Sequence, residues 1–330
     1  MRAVKSLRAL LCAVLAAGAI VAWSTSAAAA TKRSVSRAST SRTAGPDPAV
    51  SMRALPRPLF GVTVDNVANL SDIVASSRAL SHMPVTRVYF NVREPATYYA
   101  SALRTLDPVS YVMGELLDSS DSRHIGTAAY SKRVKSYLSV LGNSVDVWEI
   151  GNEINGNWTG RYKAVENKLT AAYEDVASSG KRTAVTLYYN IGCGDGPAEL
   201  DPITFSEKYV PAPVRSGLDY VLLSYYEGDC KGIRPTAATW TAYFAQLHDL
   251  YPHALLGFGE IGMDKPATSS TLGTAQSLMR YYYGLDIGLP YYVGGYFWWY
   301  YDEDCLPLAT KPLWATLQSG FASEAAALSP

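Results

Sequence analysis

The 330 residues carry 29 basic and 29 acidic side chains, so the chain is neutral as a whole, yet residues 1–57 hold nine Lys or Arg against one Asp. The remainder has 20 basic and 28 acidic residues, a net charge of −8, which argues against a nucleic-acid surface and suits a neutral or cationic partner. That remainder is long enough for one barrel-sized domain with a large core, and neither an internal repeat nor a second linker divides it.

At the start of the chain Arg2, Lys5 and Arg8 precede an apolar run from Ala9 to Trp23, and Ala27 to Ala30 supply small residues. This order predicts a secretory signal peptide over 1–30, with an apolar stretch short of the roughly 20 residues that span a bilayer. Residues 31–57, rich in Ser, Thr, Arg, Ala and Pro, lack apolar periodicity and are expected to form a disordered linker. One globular domain is expected over 58–330, its fold starting near Leu59.

Within it, short apolar runs alternate with longer amphipathic ones, close to eight of each, the rhythm of a (β/α)8 TIM barrel in the α/β class. The expected strands are residues 60–64, 86–91, 110–113, 145–150, 183–188, 220–224, 255–258 and 295–299, rich in Val, Leu, Tyr and Phe with no internal proline. Helical spacing recurs in Tyr162, Val165, Leu169, Ala172, Tyr173 and Val176, in Trp240, Phe244, Leu247 and Tyr251, and across 128–141 and 274–285. The segment after the fifth strand contains Pro211 and Pro213, so its helix is expected to be short or irregular. A doubly wound sheet is the competing fold, but Val64-Asp65-Asn66-Val67 stands where a Gly-rich phosphate loop would follow the first strand.

Two of these strands end in a glutamate. Trp148-Glu149-Ile150-Gly151-Asn152-Glu153 closes the fourth, and Gly257-Phe258-Gly259-Glu260 closes the seventh. Parallel barrels place their working groups at strand C-termini. Hydrolysing a glycosidic bond needs a proton for the leaving oxygen and a negative group for the developing oxocarbenium, and two carboxylates supply both. The bland alternative is that Glu153 caps the following helix. Glu149 shares strand parity with Glu153 but lies deeper, and reads as a paired structural carboxylate.

The Asn-Glu motif resembles that of the clan of retaining (β/α)8 glycoside hydrolases that includes cellulases, xylanases, mannanases and arabinofuranosidases. The resemblance implies an acid/base at Glu153, a nucleophile at Glu260 and a sugar 2-hydroxyl contact at Asn152. It further implies support of the nucleophile by Arg87 and by Tyr225 or Tyr226, of which Tyr225 is favoured, and a sugar-stacking ring at Trp298 or Trp299. Trp158, in the loop after Glu153, is a candidate for another subsite. Several clan members carry histidines after strands three, five or six, whereas His82, His124, His248 and His253 all fall elsewhere, which also leaves no strand-end base for a Ser-His-Asp mechanism.

Three cysteines follow the signal segment. Cys193 and Cys230 lie in loops after consecutive strands and are the preferred disulfide, with Cys230–Cys305 as the alternative. Asp302-Glu303-Asp304 is read as a solvated acidic loop, with a calcium site as the alternative, and no Cys/His spacing suggests zinc. The expectation is thus a secreted, monomeric glycoside hydrolase acting on an oligo- or polysaccharide, with no cofactor, no metal, no nucleic acid and no membrane contact after signal removal. A carbohydrate-binding protein on a degenerate barrel and a transglycosylase using the same intermediate are the rival readings.

Overall fold

The computed structural model describes residues 53–194, 196 and 199–327. The expected signal peptide and residues 31–52 of the expected linker lie outside the described residues. Arg53, assigned to that linker from sequence, is instead packed on the domain: its guanidinium binds Asp146 Oδ1 at 2.9 Å and the Ser110 carbonyl at 3.2 Å, and it lies over the Tyr111 ring.

In chain order the elements are β1 (Gly61–Val64), α1 (Leu70–Ala79), β2 (Val85–Tyr89), α2 (Ala96–Leu106), β3 (Tyr111–Glu115), α3 (Ser119–Ser122), α4 (Thr127–Leu141) and β4 (Val147–Glu149). There follow α5 (Tyr162–Ser178), β5 (Arg182–Tyr188), α6 (Pro202–Tyr209), α7 (Ala212–Gly217), β6 (Tyr220–Tyr225), α8 (Ala237–Leu250), β7 (Leu255–Ile261), α9 (Leu272–Tyr282), α10 (Tyr301–Cys305) and α11 (Pro312–Ala327). The seven strands form one parallel sheet in sequence order, which is the (β/α)8 architecture expected from the alternating pattern. The proline-interrupted segment divides into α6 and α7 on either side of Pro211, because proline removes a backbone donor and clashes with the preceding turn. No described helix is long and apolar enough to cross a membrane.

Strand parity sorts the core. Val85, Met113, Val147, Ala184, Tyr220 and Leu222 cluster with Val293 and Phe297 inside the barrel. Residues of the opposite parity, such as Val88, Val112, Trp148, Val221 and Leu223, pack with the helices in the larger outer cluster. Along β6 the inward parity continues from Leu222 to Ser224 and then to Tyr226. On β7 the register breaks: Leu223 pairs with Phe258 but Ser224 pairs with Glu260, so Gly259 is an extra residue. A bulge of this kind reverses the alternation. Phe258 therefore faces outward onto Trp240 and Phe244, while Glu260, two residues on, faces inward. A Cβ at residue 259 would meet Thr186 Oγ1 at 2.6 Å and Leu222 Cβ at 2.8 Å, so only glycine fits there.

The expected eighth strand is not a regular one. Gly294, Gly295, Tyr296 and Phe297 all have positive φ, between 36° and 101°, which no extended strand tolerates. The segment still closes the barrel, through Leu59 N–H to Val293 O at 3.0 Å, Phe258 N–H to Gly294 O at 2.8 Å, and single bridges from Trp298 to Val62 and Ile261. Glu324 of α11 accepts the Gly295 N–H at 3.0 Å. Burial pushes that carboxyl well above its ordinary pKa, with the backbone donors of Gly295 and Phe60 opposing.

Candidate active site

Inward side chains of β3, β4 and β7 converge on one guanidinium. Arg87, from the middle of β2, is completely buried and spans the barrel interior. Its Nε and Nη2 donate to the Glu149 carboxylate at 2.6 and 3.1 Å, and its Nη1 donates to Glu260 Oε2 at 3.1 Å. Glu115 Oε2 approaches Nη2 at 3.2 Å, yet neither Glu115 oxygen has a hydrogen-bond partner among the described residues. Burial lowers the proton affinity of the guanidinium, but Glu115, Glu149 and Glu260 more than reverse this and hold Arg87 well above its ordinary pKa. Glu115 is pushed well above the usual carboxylate range, first by burial and then by Glu149, with Arg87 opposing. Glu149 is completed by the Thr186 hydroxyl at 2.5 Å. This is the paired structural role read for it from sequence.

Glu260 and Glu153 are each about 1 % exposed and are held differently. Glu260 receives three donors: Arg87 and, at 3.2 Å, Asn152 Nδ2 on Oε2, and the Tyr226 hydroxyl at 2.6 Å on Oε1. All three partners donate, and the carboxylate accepts through both of its oxygens. Glu153 is met by two hydroxyls, Ser119 Oγ at 2.9 Å on Oε2 and Ser224 Oγ at 2.6 Å on Oε1. A hydroxyl donates to a carboxylate and can also accept from a carboxylic acid. Its backbone lies at φ 45°, where the chain turns away from β4.

Asn152, Glu153, Arg87 and Glu260 are thus brought together, whereas Tyr225, the tyrosine favoured from sequence, is not. Tyr225 lies on the outward parity of β6, packs on Tyr189 and Trp240, and donates its hydroxyl to Ile233 O at 2.7 Å. Its neighbour Tyr226 supplies the bond to Glu260, and burial together with the charges of Glu260 and Glu153 raises its pKa well above normal. Of the two tryptophans, Trp298 is fully buried and donates Nε1 to Asp304 Oδ2 at 2.9 Å, so it is a packed wall residue. The Trp299 ring is the one beside the site, 5.5 Å from the Arg87 guanidinium. Trp158 stands edge-on to Tyr188 with centroids 5.2 Å apart.

Cys193 and Cys230 are bonded and tie the loop after β5 to the loop after β6, while Cys305 is free and buried. The acidic run at 302–304 is not a solvated loop: it forms most of α10, and Asp304 is spent on Trp298 and on the Ala267 N–H at 2.7 Å. Among the described residues no group of three or more His, Cys, Asp or Glu is arranged to hold a metal ion. The residues that sequence reasoning missed are Glu115, Ser119 and Ser224, and Tyr226 was named there but passed over for Tyr225. Three of them carry a parity signal, since Glu115 follows Met113, and Ser224 and Tyr226 follow Leu222, at two-residue steps; Ser119 sits in a loop turn and carries none.

No protein-family model matches the chain, and no curated protein matches it. Solved structures do. A GH10 xylanase from Bispora sp. MEY-1, solved with xylobiose, superposes with a TM-score of 0.53 at 15% identity over 73% of this chain and 83% of its own. The catalytic domain of the major endoglucanase of Xanthomonas campestris pv. campestris gives 0.52 at 14% identity, covering 80% of this chain and 95% of its own. A GH5 xyloglucan-specific β-1,4-glucanase from a ruminal metagenomic library, in complex with XXLG, gives 0.53 at 11% identity, covering 82% and 89%. At such identities the likeness establishes the barrel fold.

Proposed function

We propose that the chain is a secreted retaining glycoside hydrolase, with Glu260 as nucleophile and Glu153 as acid/base. The observation that carries the reading is a pair of buried carboxylates at the ends of β4 and β7, Glu260 taking donors from Arg87, Asn152 and Tyr226 and Glu153 taking the hydroxyls of Ser119 and Ser224. Glu260 attacks the anomeric carbon while Glu153 gives its proton to the leaving oxygen. Glu153 then takes a proton from water, which attacks the same carbon and releases Glu260 from the glycosyl ester. Asn152 stands between the two and orients both the nucleophile and the sugar. As Glu260 loses its charge to the ester, Arg87 keeps Glu149 as counter-ion, so the interior never holds an unpaired guanidinium.

The substrate we assign is a β-linked polysaccharide or its oligosaccharides. The similar folds include enzymes of xylan and xyloglucan, and Trp299 beside the ion cluster and Trp158 beyond Glu153 offer flat apolar faces for pyranose rings. Secretion is supported by the Cys193–Cys230 bond, which oxidising compartments preserve.

The test is product release by the full chain from a panel of glucans, xylans, mannans, arabinans and galactans, with NMR of the first-formed anomer and Glu260→Ala in parallel. Cleavage with retained configuration, absent in the variant, supports the proposal. Full turnover by Glu153→Gln on unactivated glycosides refutes the assignment of the acid. Binding without product on every polymer turns the reading to a carbohydrate-binding barrel, and products longer than the substrate turn it to transglycosylation.

A further inference from the structure

Behind the Asn-Glu motif lies a buried lysine with no acidic partner among the described residues. Lys168, on the inner face of α5, is 5 % exposed, and its hydrogen bonds go to the Ser122 carbonyl and, at 2.7 Å, to the Ser122 hydroxyl. Burial lowers its proton affinity. A buried amine is costly to desolvate, and nothing in packing requires one here, because the neighbouring inward positions Val165, Leu169, Ala172 and Val176 are apolar.

Ser122 is the last residue of α3, and the first is Ser119. Ser119 touches both working residues of the motif: its N–H donates to Asn152 Oδ1 at 3.1 Å, and its hydroxyl donates to Glu153 Oε2 at 2.9 Å. The four-residue turn is therefore an arm. Lys168 holds one end and the acid/base hangs from the other. Beside the joint is a cavity of about 20 Å³ lined by Leu117, Ser122, Tyr130, Ile150, Asn152 and Lys168, room for one water with polar partners on its wall. The arm is steadied from outside by Arg123, whose Nε donates to the Trp158 carbonyl at 2.6 Å, but Lys168 is the buried anchor that faces the motif.

We propose that Lys168 is a positioning residue for the acid/base, fixing α3 so that Ser119 holds Asn152 and Glu153 in working geometry. The inference rests on the acid/base role given to Glu153 above, and it separates from a merely structural role by chemistry. A glycoside whose leaving group is a dinitrophenolate departs without a proton, whereas an alkyl or sugar leaving group needs the acid.

Lys168→Met, which keeps the length of the side chain, is expected to lower kcat/KM on unactivated substrates by about tenfold or more and on dinitrophenyl glycosides by less than about threefold, within the range that a misplaced general acid forfeits. Ser119→Ala should show the same leaving-group pattern, and the double variant should be little worse than either single one. Hydrogen exchange supplies a readout free of activity: the segment 116–125 should exchange faster in Lys168→Met, while the segment around Glu260 stays as in the native protein. Equal losses on both substrate types, or additive losses in the double variant, overturn the proposal. So does unchanged exchange over 116–125. If the native chain cleaves no glycoside, the glycosidase reading fails on its own, and the exchange measurement still decides whether Lys168 governs α3. Should Lys168→Met not fold, Lys168→Gln carries the same measurements.

Discussion

Replacing Arg87 by Met removes the cation of the barrel interior while nearly filling its volume. In the native protein one guanidinium meets Glu149 through two hydrogen bonds, Glu260 through one, and Glu115 at 3.2 Å, all at essentially zero exposure. Breaking a buried pair by deleting one partner costs about 3–5 kcal/mol, because the remaining charge is left desolvated. For a domain of this size that is roughly 6–20 °C in Tm. The sign of the pH dependence follows from Glu115, whose folded-state pKa is raised above its unfolded value. Such a group contributes stability that is fully present below its unfolded pKa and is lost as pH rises through the folded one. Arg87 is the neighbour that opposes that rise, so the variant should be least handicapped near pH 4 and lose ground toward neutral and alkaline pH. Thermal unfolding of both proteins from pH 4 to pH 9 reads this directly. A deficit of equal size at every pH, or melting within about 2 °C of native at pH 7, would show that the cluster is not the charge-compensated centre described above.

Tyr226→Phe deletes a hydrogen bond to a charged group worth about 1.5–3 kcal/mol and should lower kcat/KM roughly 10- to 100-fold, whereas Tyr225→Phe, whose hydroxyl binds Ile233 O, should not; steady-state kinetics on one substrate distinguish them, and the reverse order would refute the parity argument. Asp302 is pushed up to about 9 by burial, then by Asp65 and Glu303, so its contribution is complete below about pH 4 and is lost as pH rises through about 9; Asp302→Asn should flatten that part of the Tm-against-pH curve, and an unchanged slope would contradict it. Cys193→Ser opens a loop closed across 37 residues, which the chain-entropy relation makes worth about 4 kcal/mol; urea unfolding should show a lower midpoint, matched by the reduced native chain, and a midpoint equal to that of the oxidised native protein would count against it.

The barrel was legible in the sequence because buried parallel strands are continuous apolar runs, and seven such runs became ladders. The eighth was legible as a location only. Composition marks Gly294-Gly295-Tyr296-Phe297 as apolar and strand-sized, but it does not encode that all four residues take positive φ; that follows from fitting between β7 and β1 with Glu324 holding the Gly295 N–H. Ser119 was invisible for a related reason. Its role depends on where the loop after β3 returns to the motif, and no local periodicity reports a tertiary approach.

The choice between Tyr225 and Tyr226 turns on a different kind of information. Counting by twos from Leu222, an inner residue, reaches Ser224 and Tyr226, so the inward tyrosine follows from strand parity once one inner position is known. The same counting on β7 misleads: from Phe258, an outer residue, it would send Glu260 outward and dismantle the site. What rescues Glu260 is the bulge at Gly259, and a glycine inside an apolar strand is the sequence mark of such a bulge. Read together, Phe258-Gly259-Glu260 encodes an outward anchor, a residue small enough to pass Thr186 and Leu222, and an inward carboxylate. The position of the Glu260 carboxylate is therefore set by the residue that precedes it, and any side chain at 259 would displace Glu260 from Arg87, Asn152 and Tyr226 at once.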